Sequence, residues 1–176
     1  TGHRYTRRLS IPAPTCRQIN KGDVPSKSTT TQEDVACAML EAYSECDKRL
    51  ADLNGNTAAF RASESVAQIE GMAQEFADTL FYGNVSTAPE EFKGLANYYN
   101  AISTTVSNIG YNVLSAGGAG DDNTSIWLIG WSPRTVFGVY PKASKAGLNF
   151  EDKGQVTLGD STNGLYEGYR SHFSWD

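Results

Sequence analysis

Between Ser63 and Asn84 the chain reads SESVAQIEGMAQEFADTLFYGN, and no other stretch restricts the fold as much. Val66, Ile69, Ala73, Phe76 and Leu80 recur at alternating spacings of three and four, which puts them in one apolar stripe on a helix. Ser63 is placed as the N-cap, with Glu64 in the first turn. Gly83 and Asn84 are placed as the stop, because both tolerate a left-handed backbone. About 20 residues at ~1.5 Å each make a rod of ~30 Å. A rod apolar along one side has to lie on another layer of structure.

The runs that follow supply that layer. SIWLIGW (125–131), TVFGVYP (135–141), GQVTLG (154–159) and LYEGYRSHFSW (165–175) have β character, with turn residues between them. Trp127 and Trp131, four apart, are expected on one face of one strand. Upstream, QEDVACAMLEAYSECDKRLADL fits two periods. Val35, Met39, Tyr43, Cys46 and Leu50 suit a helix, whereas Val35, Cys37, Met39 and Tyr43 suit a strand. The threonines before it favour a strand entering, and DKRLADL favours a helix leaving, up to the break NGN at 54–56. The first 32 residues read as an extended arm, because Pro12, Pro14 and Pro25 forbid a regular helix. A two-stranded excursion turning at NKGD fits them, and such a ribbon needs support. Ribbon, helix, then strands is an α+β order.

Charge divides the chain in the same place. Residues 1–32 carry six basic groups (Arg4, Arg7, Arg8, Arg17, Lys21, Lys27) and one acid, Asp23, for +5; the remainder has nine basic and nineteen acidic residues, for −10. A basic arm of this kind is expected to meet an acidic surface, either nucleic acid or the body of a neighbouring copy. With 39% hydrophobic and 20% charged residues the chain is globular rather than disordered. No apolar run approaches the ~20 residues that span a bilayer. Thr1 opens the chain without a methionine and HFSWD closes it inside an alternating pattern, so both ends read as cut.

Candidate chemistry is sparse. Three cysteines form no CxxC pair and only two histidines occur, so neither a disulfide framework nor a zinc site is expected. Gly117, Gly118 and Gly120 precede Asp121 and Asp122, which would repel a phosphate. PKASKAG lacks the Walker pattern, and no GxSxG occurs, so Lys142 and Lys145 read as turn charges facing a neighbour or solvent. Glu90 and Glu91 are adjacent, as are Asp121 and Asp122, and neither pair is an acid/base couple. The reading is a non-enzyme without cofactor or metal. HRYTRRL, with Tyr5 for stacking, keeps a nucleic-acid-binding module as the alternative.

Several strings together then resemble one family. PSKSTTTQ, LEAYSECDKRLADLNGNTAAFRASES, LFYGNVSTAPEEFKGL, AGGAGDDNTSIWLIGW and PKASKAGLNFEDKGQVT are similar, in this order, to the major capsid proteins of tailed bacteriophages. The likeness is to the short-tailed-phage branch of the Hong Kong 97 capsid fold. The resemblance implies an extended β-ribbon loop over residues 1–32, lying on a neighbouring subunit. It implies a peripheral-domain segment at 33–109, with a spine helix at 63–83, and a mixed, β-rich axial-domain segment at 110–176. The implied function is a structural shell protein that self-assembles into pentamers and hexamers around the genome. Implied partners are other copies, scaffolding, portal and decoration proteins, and packaged DNA held non-specifically on the inner face, with no membrane. The implied place is the virion shell, assembled in the host bacterial cytoplasm. Arg4, Arg7, Arg8, Arg17, Lys21, Lys27, Lys142 and Lys145 are the residues expected at subunit interfaces.

Overall fold

The computed structural model describes every residue except 1, 54, 119, 121–122, 143–145, 161, 163 and 176. Strands β1 (Gly2–Arg8) and β2 (Thr30–Ala36) pair antiparallel as a ribbon of their own. β3 (Leu40–Asp47) runs straight into a short helix, α1 (Lys48–Asp52). The long helix α2 spans Thr57–Tyr82, and α3 (Leu95–Tyr98) and a 3₁₀ turn (Ile109–Asn112) follow. β4 (Leu148–Asp160) and β5 (Gly164–Trp175) form a hairpin, with β5 central in an antiparallel sheet ordered β3-β5-β4. α2 rests on one face of that sheet, so helix and sheet are mixed as the order of elements predicts. The ambiguous stretch resolves as strand, then helix. The Asp47 carboxylate accepts from the Arg49 N–H at 2.7 Å and so starts α1 where β3 stops.

α2 differs from expectation in its start, its stop and its facing. The helix begins six residues before Ser63, where the Asn56 side chain accepts from the Ala59 N–H at 3.2 Å. TAAFRA is rich in good helix formers, so the helix extends back to the first side chain able to cap it. At the other end Gly83 has φ −47°, not a left-handed value. Glycine is needed there for room: a Cβ would lie 2.5 Å from the Phe92 carbonyl oxygen and 2.6 Å from that of Thr79. The inward face is also turned. Arg61, Ser65, Gln68, Met72 and Phe76 point to the body, while Val66 is 66% and Ile69 38% exposed. The cause lies in the sheet beneath. Under the first half of α2 it offers Tyr169, Ser171 and Asp152, which take the Arg61 side chain. Under the second half Trp175 stacks on Phe76 at 4.7 Å.

Two of the four expected late strands form, GQVTLG within β4 and LYEGYRSHFSW within β5. The other two do not. Ser125–Trp131 is extended without a ladder, and 135–141 makes only the bridge between Trp131 and Val136. Alternation survives, with Trp127 and Ile129 half-buried and Ile126 and Leu128 almost wholly exposed. Period-two hydrophobicity sets which side chains turn inward, but a strand also needs a hydrogen-bonding neighbour. Trp127 and Trp131 do not share a packed face: Trp127 meets Phe81 at 5.7 Å and Tyr99 at 6.2 Å, and Trp131 is exposed.

In β4 the register slips between Asp152 and Gly154, leaving Lys153 as an extra residue, with Gly154 at φ +69°. This is a bulge with glycine in the left-handed position. It switches the parity of β4, so Phe150 and Asp152 face α2 whereas Val156 and Leu158 turn away from it. The buried apolar side chains among the described residues are Ala51, Met72, Leu158 and Phe173, of which Leu158 and Phe173 are fully buried. The chain exposes 13620 Å². A compact monomer of 19.1 kDa exposes about 8400 Å².

Candidate subunit interface

The sequence places its functional charges on the arm, and the ribbon divides them into two groups. At the root, register sets Arg4 opposite Asp34 and Tyr5 opposite Glu33. Arg4 grips Asp34 with two bonds, Nε to Oδ1 at 2.6 Å and Nη2 to Oδ2 at 2.8 Å. That hydrogen bonding raises the Arg4 guanidinium and holds the Asp34 carboxyl below its usual range. On the other face Tyr5 Oη donates to Glu33 Oε2 at 2.8 Å, and Arg7 Nη2 lies 2.8 Å from Oε1 of the same carboxylate. Burial first, and the bond to Glu33 second, push the Tyr5 phenol up to about 12. Arg4 and Arg7 are therefore joined within their own chain, and their pairs tie β1 to β2. Sequence reasoning missed their partners, because Asp34 and Glu33 lie just beyond the boundary it drew at residue 32.

Beyond the root the ladder ends where the Leu9 N–H donates to the Thr29 carbonyl at 2.8 Å. From Ser10 to Thr29 the arm is held by few bonds. Thr15 Oγ1 donates to Asp23 at 2.7 Å, and a turn closes from the Lys21 N–H to the Gln18 carbonyl at 3.2 Å, with Asn20 at φ 66°. This turn spans Gln18–Lys21, two residues before the expected NKGD, with Ile19 and Asn20 at its centre. Arg8, Arg17, Lys21 and Lys27 are exposed and have no ion-pair partner among the described residues. The same holds for Lys142. Lys145, Asp121 and Asp122 lie outside the described residues.

The body is braced by a charge that sequence reasoning did not single out. Arg61 reaches from α2 to Asp152 on β4, lies 4.8 Å over the Tyr169 ring and donates to Ser171 Oγ at 3.4 Å. Asp152 also accepts from the Gly154 N–H at 2.7 Å, so the bulge holds the carboxylate for Arg61. The hydrogen bond from Arg61, then that from Gly154, keep the Asp152 carboxyl below its ordinary range. A polar residue at an inward helical position, followed 91 residues later by DKG, was the available signal. On the sheet face away from α2, His172 stacks on Tyr43 at 4.5 Å, and Arg170 holds Glu45 at 2.6 Å.

An open groove separates the ribbon root from the body, lined by Tyr5, Arg7, Phe76, Phe92, Tyr98 and Trp131. Its walls are more apolar than polar, with aromatic side chains among them, and no nucleophile–base pair occurs among its described side chains. Among the described residues no group of three or more His, Cys, Asp or Glu side chains could hold a metal. No helix among them is long and apolar enough to cross a membrane. What the arrangement offers is an exposed basic arm, an acidic body and much uncovered apolar surface.

Comparison with known proteins agrees with this picture. No curated protein matches the chain. Among solved structures, a chain of the cryo-EM structure of bacteriophage Epsilon15 superposes with a TM-score of 0.54 at 35% sequence identity. The match covers 99% of this chain and 52% of that one, so this chain spans about half the length of its solved relative. The family model described as major capsid protein GP7 matches residues 1–176. The chain belongs to the GP7 family of bacteriophage major capsid proteins.

Proposed function

We propose that this chain is part of the protein shell of a phage virion and that its work is association with further copies of itself. The observation that carries the reading is its surface. Its 13620 Å² exceeds the compact expectation of about 8400 Å² by more than half. Large side chains such as Ile11, Ile19, Ile126 and Leu128 stand in that excess. Copies arranged in closed rings would cover such surface many times over, so that modest contacts sum to a durable shell. In this reading copies gather as pentamers and hexamers, α2 is the spine of a peripheral domain, and residues from about 110 contribute to an axial domain. The ribbon lies over a neighbour. Arg8, Arg17, Lys21 and Lys27 of the ribbon, with Lys142 and Lys145 elsewhere in the chain, are the interface charges, and packaged DNA meets the inner face without sequence preference. The exposed isoleucines beside the ribbon cations favour a protein neighbour over a phosphate backbone.

Electron microscopy of the full-length polypeptide after expression tests this. Closed shells or capsomers are expected. A uniform monomer at assembly concentrations would refute it. Reversal of Arg17, Lys21 and Lys27 to Glu should abolish shells and leave the subunit folded.

A further inference from the structure

The groove between the ribbon root and the body differs in charge from the rest of the chain. The chain holds 20 acidic residues against 15 basic ones. Yet the described residues that line the groove include Arg7, Arg8, Lys93 and Arg134 and no aspartate or glutamate. Arg8, Lys93 and Arg134 have no ion-pair partner among the described residues. Arg7 is only half engaged. Its Nη2 lies 2.8 Å from a Glu33 carboxylate that also accepts from Tyr5, whereas its Nε is shut away from solvent and meets no acceptor. A buried donor in that state favours any acceptor that can reach it.

The groove measures about 1530 Å³, more than the roughly 300–1000 Å³ of a small-molecule site, so its size suits a length of chain. Its walls carry aliphatic groups such as Leu9, Val35 and Leu80 beside the rings. Several rings are already covered and are not open platforms for bases. Phe76 and Trp175 stack on each other at 4.7 Å, and Lys93 lies 4.3 Å over Tyr98. Two stretches of backbone at the groove, the outer edge of β1 and Phe137–Tyr140, have no strand partner among the described residues. An extended peptide bearing acids and apolar side chains meets all three needs: counter-charge, apolar filling and backbone pairing. A nucleic acid meets only the first. Length points to the source of that peptide. About half of the Epsilon15 chain lies outside the region that this chain matches.

We propose that the groove seats an extended acidic segment of the same full-length polypeptide, from outside residues 1–176. Its carboxylates meet Arg7 Nε, Lys93 and Arg134, and its apolar side chains fill the space between the ribbon root and the body. This goes beyond the shell reading, because it concerns the inside of one copy and not the contact between copies.

Trp131 lines the groove and is 60% exposed, so a photoreactive group placed there reports what lies in it. The full-length polypeptide is made with p-benzoylphenylalanine in place of Trp131, irradiated before assembly, digested and mapped by mass spectrometry. The adduct is expected within a single polypeptide, on a stretch outside residues 1–176 that mixes acids with apolar residues. No adduct overturns the proposal, and so does one that joins two copies, one to nucleic acid, one confined to residues 1–176 or one on a stretch without acids. Hydrogen exchange gives an independent reading. Lys93→Glu/Arg134→Glu should let the stretch that carries the adduct exchange about tenfold faster than in the parent. Lys93→Arg/Arg134→Lys should leave its exchange at the parental rate. Parental exchange in a folded reversal variant refutes the seat. If the reversal variant does not fold, Lys93→Gln/Arg134→Gln carries the same expectation and the same refutation. Shell formation by the parent is a separate observation, so the shell reading stands or falls apart from this one.

Discussion

Arg61 holds α2 to the sheet through three kinds of contact at once: a carboxylate, an aromatic face and a hydroxyl. Its side chain is 20% exposed and that of Asp152 47%, so solvent screens the pair only in part. Arg61→Ala should cost about 2 kcal/mol, the range of hydrogen bonds to charged groups. Asp152→Asn should then add little on top, because the two share one interaction. Chemical denaturation of both single variants and the double variant measures this. The Asp152 carboxyl is held below its usual value in the folded chain, so its contribution is complete above the unfolded value near pH 4. It fades as pH falls further, and Asp152→Asn should flatten the acid limb of the stability curve. Tyr5 gives the opposite limb. Its phenol is pushed up to about 12. Its contribution is therefore complete below the unfolded value near 10 and is lost as pH rises towards 12. Burial raises the Tyr98 phenol as well, so absorbance titration should show Tyr5 and Tyr98 ionising after the exposed tyrosines, and Tyr5→Phe should shrink that late step by one phenol.

At the scale of elements, the first turn of α2 gives a clean discrimination. Asn56→Ala should destabilise by about 1 kcal/mol through loss of the cap, whereas Ser63→Ala, inside an exposed helical turn, should be close to neutral. Thermal unfolding of the two variants distinguishes the observed helix start from the one that periodicity alone suggests. The helix itself, the paired ribbon, the passage from strand to helix near Asp47 and the last two strands were all legible, while the turn expected at NKGD lies two residues earlier. Each is written in local residues: proline and threonine spacing, an acid cap, alternating hydrophobics. What was not legible depends on the other side of a contact. Val66 and Ile69 have the right spacing for a core, but the sheet offers Tyr169 and Ser171 to Arg61 instead, and the helix turns accordingly. SIWLIGW has the composition of a strand, yet beyond the single bridge from Trp131 to Val136 no described segment pairs with it. Gly83 looked like a left-handed stop and is instead the point where α2 and the 92–94 backbone meet. The ribbon partners were hidden for a related reason. Arg4 pairs with Asp34 through a register that closes across the irregular arm between Leu9 and Thr29, and no turn motif predicts it.

At the scale of the whole molecule, the two halves of the charge asymmetry are not equally available for association. Two of the six ribbon cations are engaged at the root by Asp34 and Glu33, so in the proposed shell any attraction of the ribbon for another copy would fall to Arg8, Arg17, Lys21 and Lys27. Each exposed pair contributes roughly 0–1 kcal/mol. Such pairs guide encounter and register, and covered apolar surface supplies the larger share of affinity. These two terms answer to salt in opposite ways. Raising sodium chloride shortens the screening length from about 10 Å at 0.1 M to about 3 Å at 1 M and weakens the ribbon's steering. Excluded salts such as sulfate strengthen apolar burial. Assembly followed by light scattering should therefore start more slowly as sodium chloride rises, while shells already formed should resist the same salt. The Arg17, Lys21 and Lys27 reversal should remove the salt dependence of the initial rate. If that rate instead rises steadily with sodium chloride in the parent, apolar contact governs encounter as well as affinity, and the ribbon charges have no steering role.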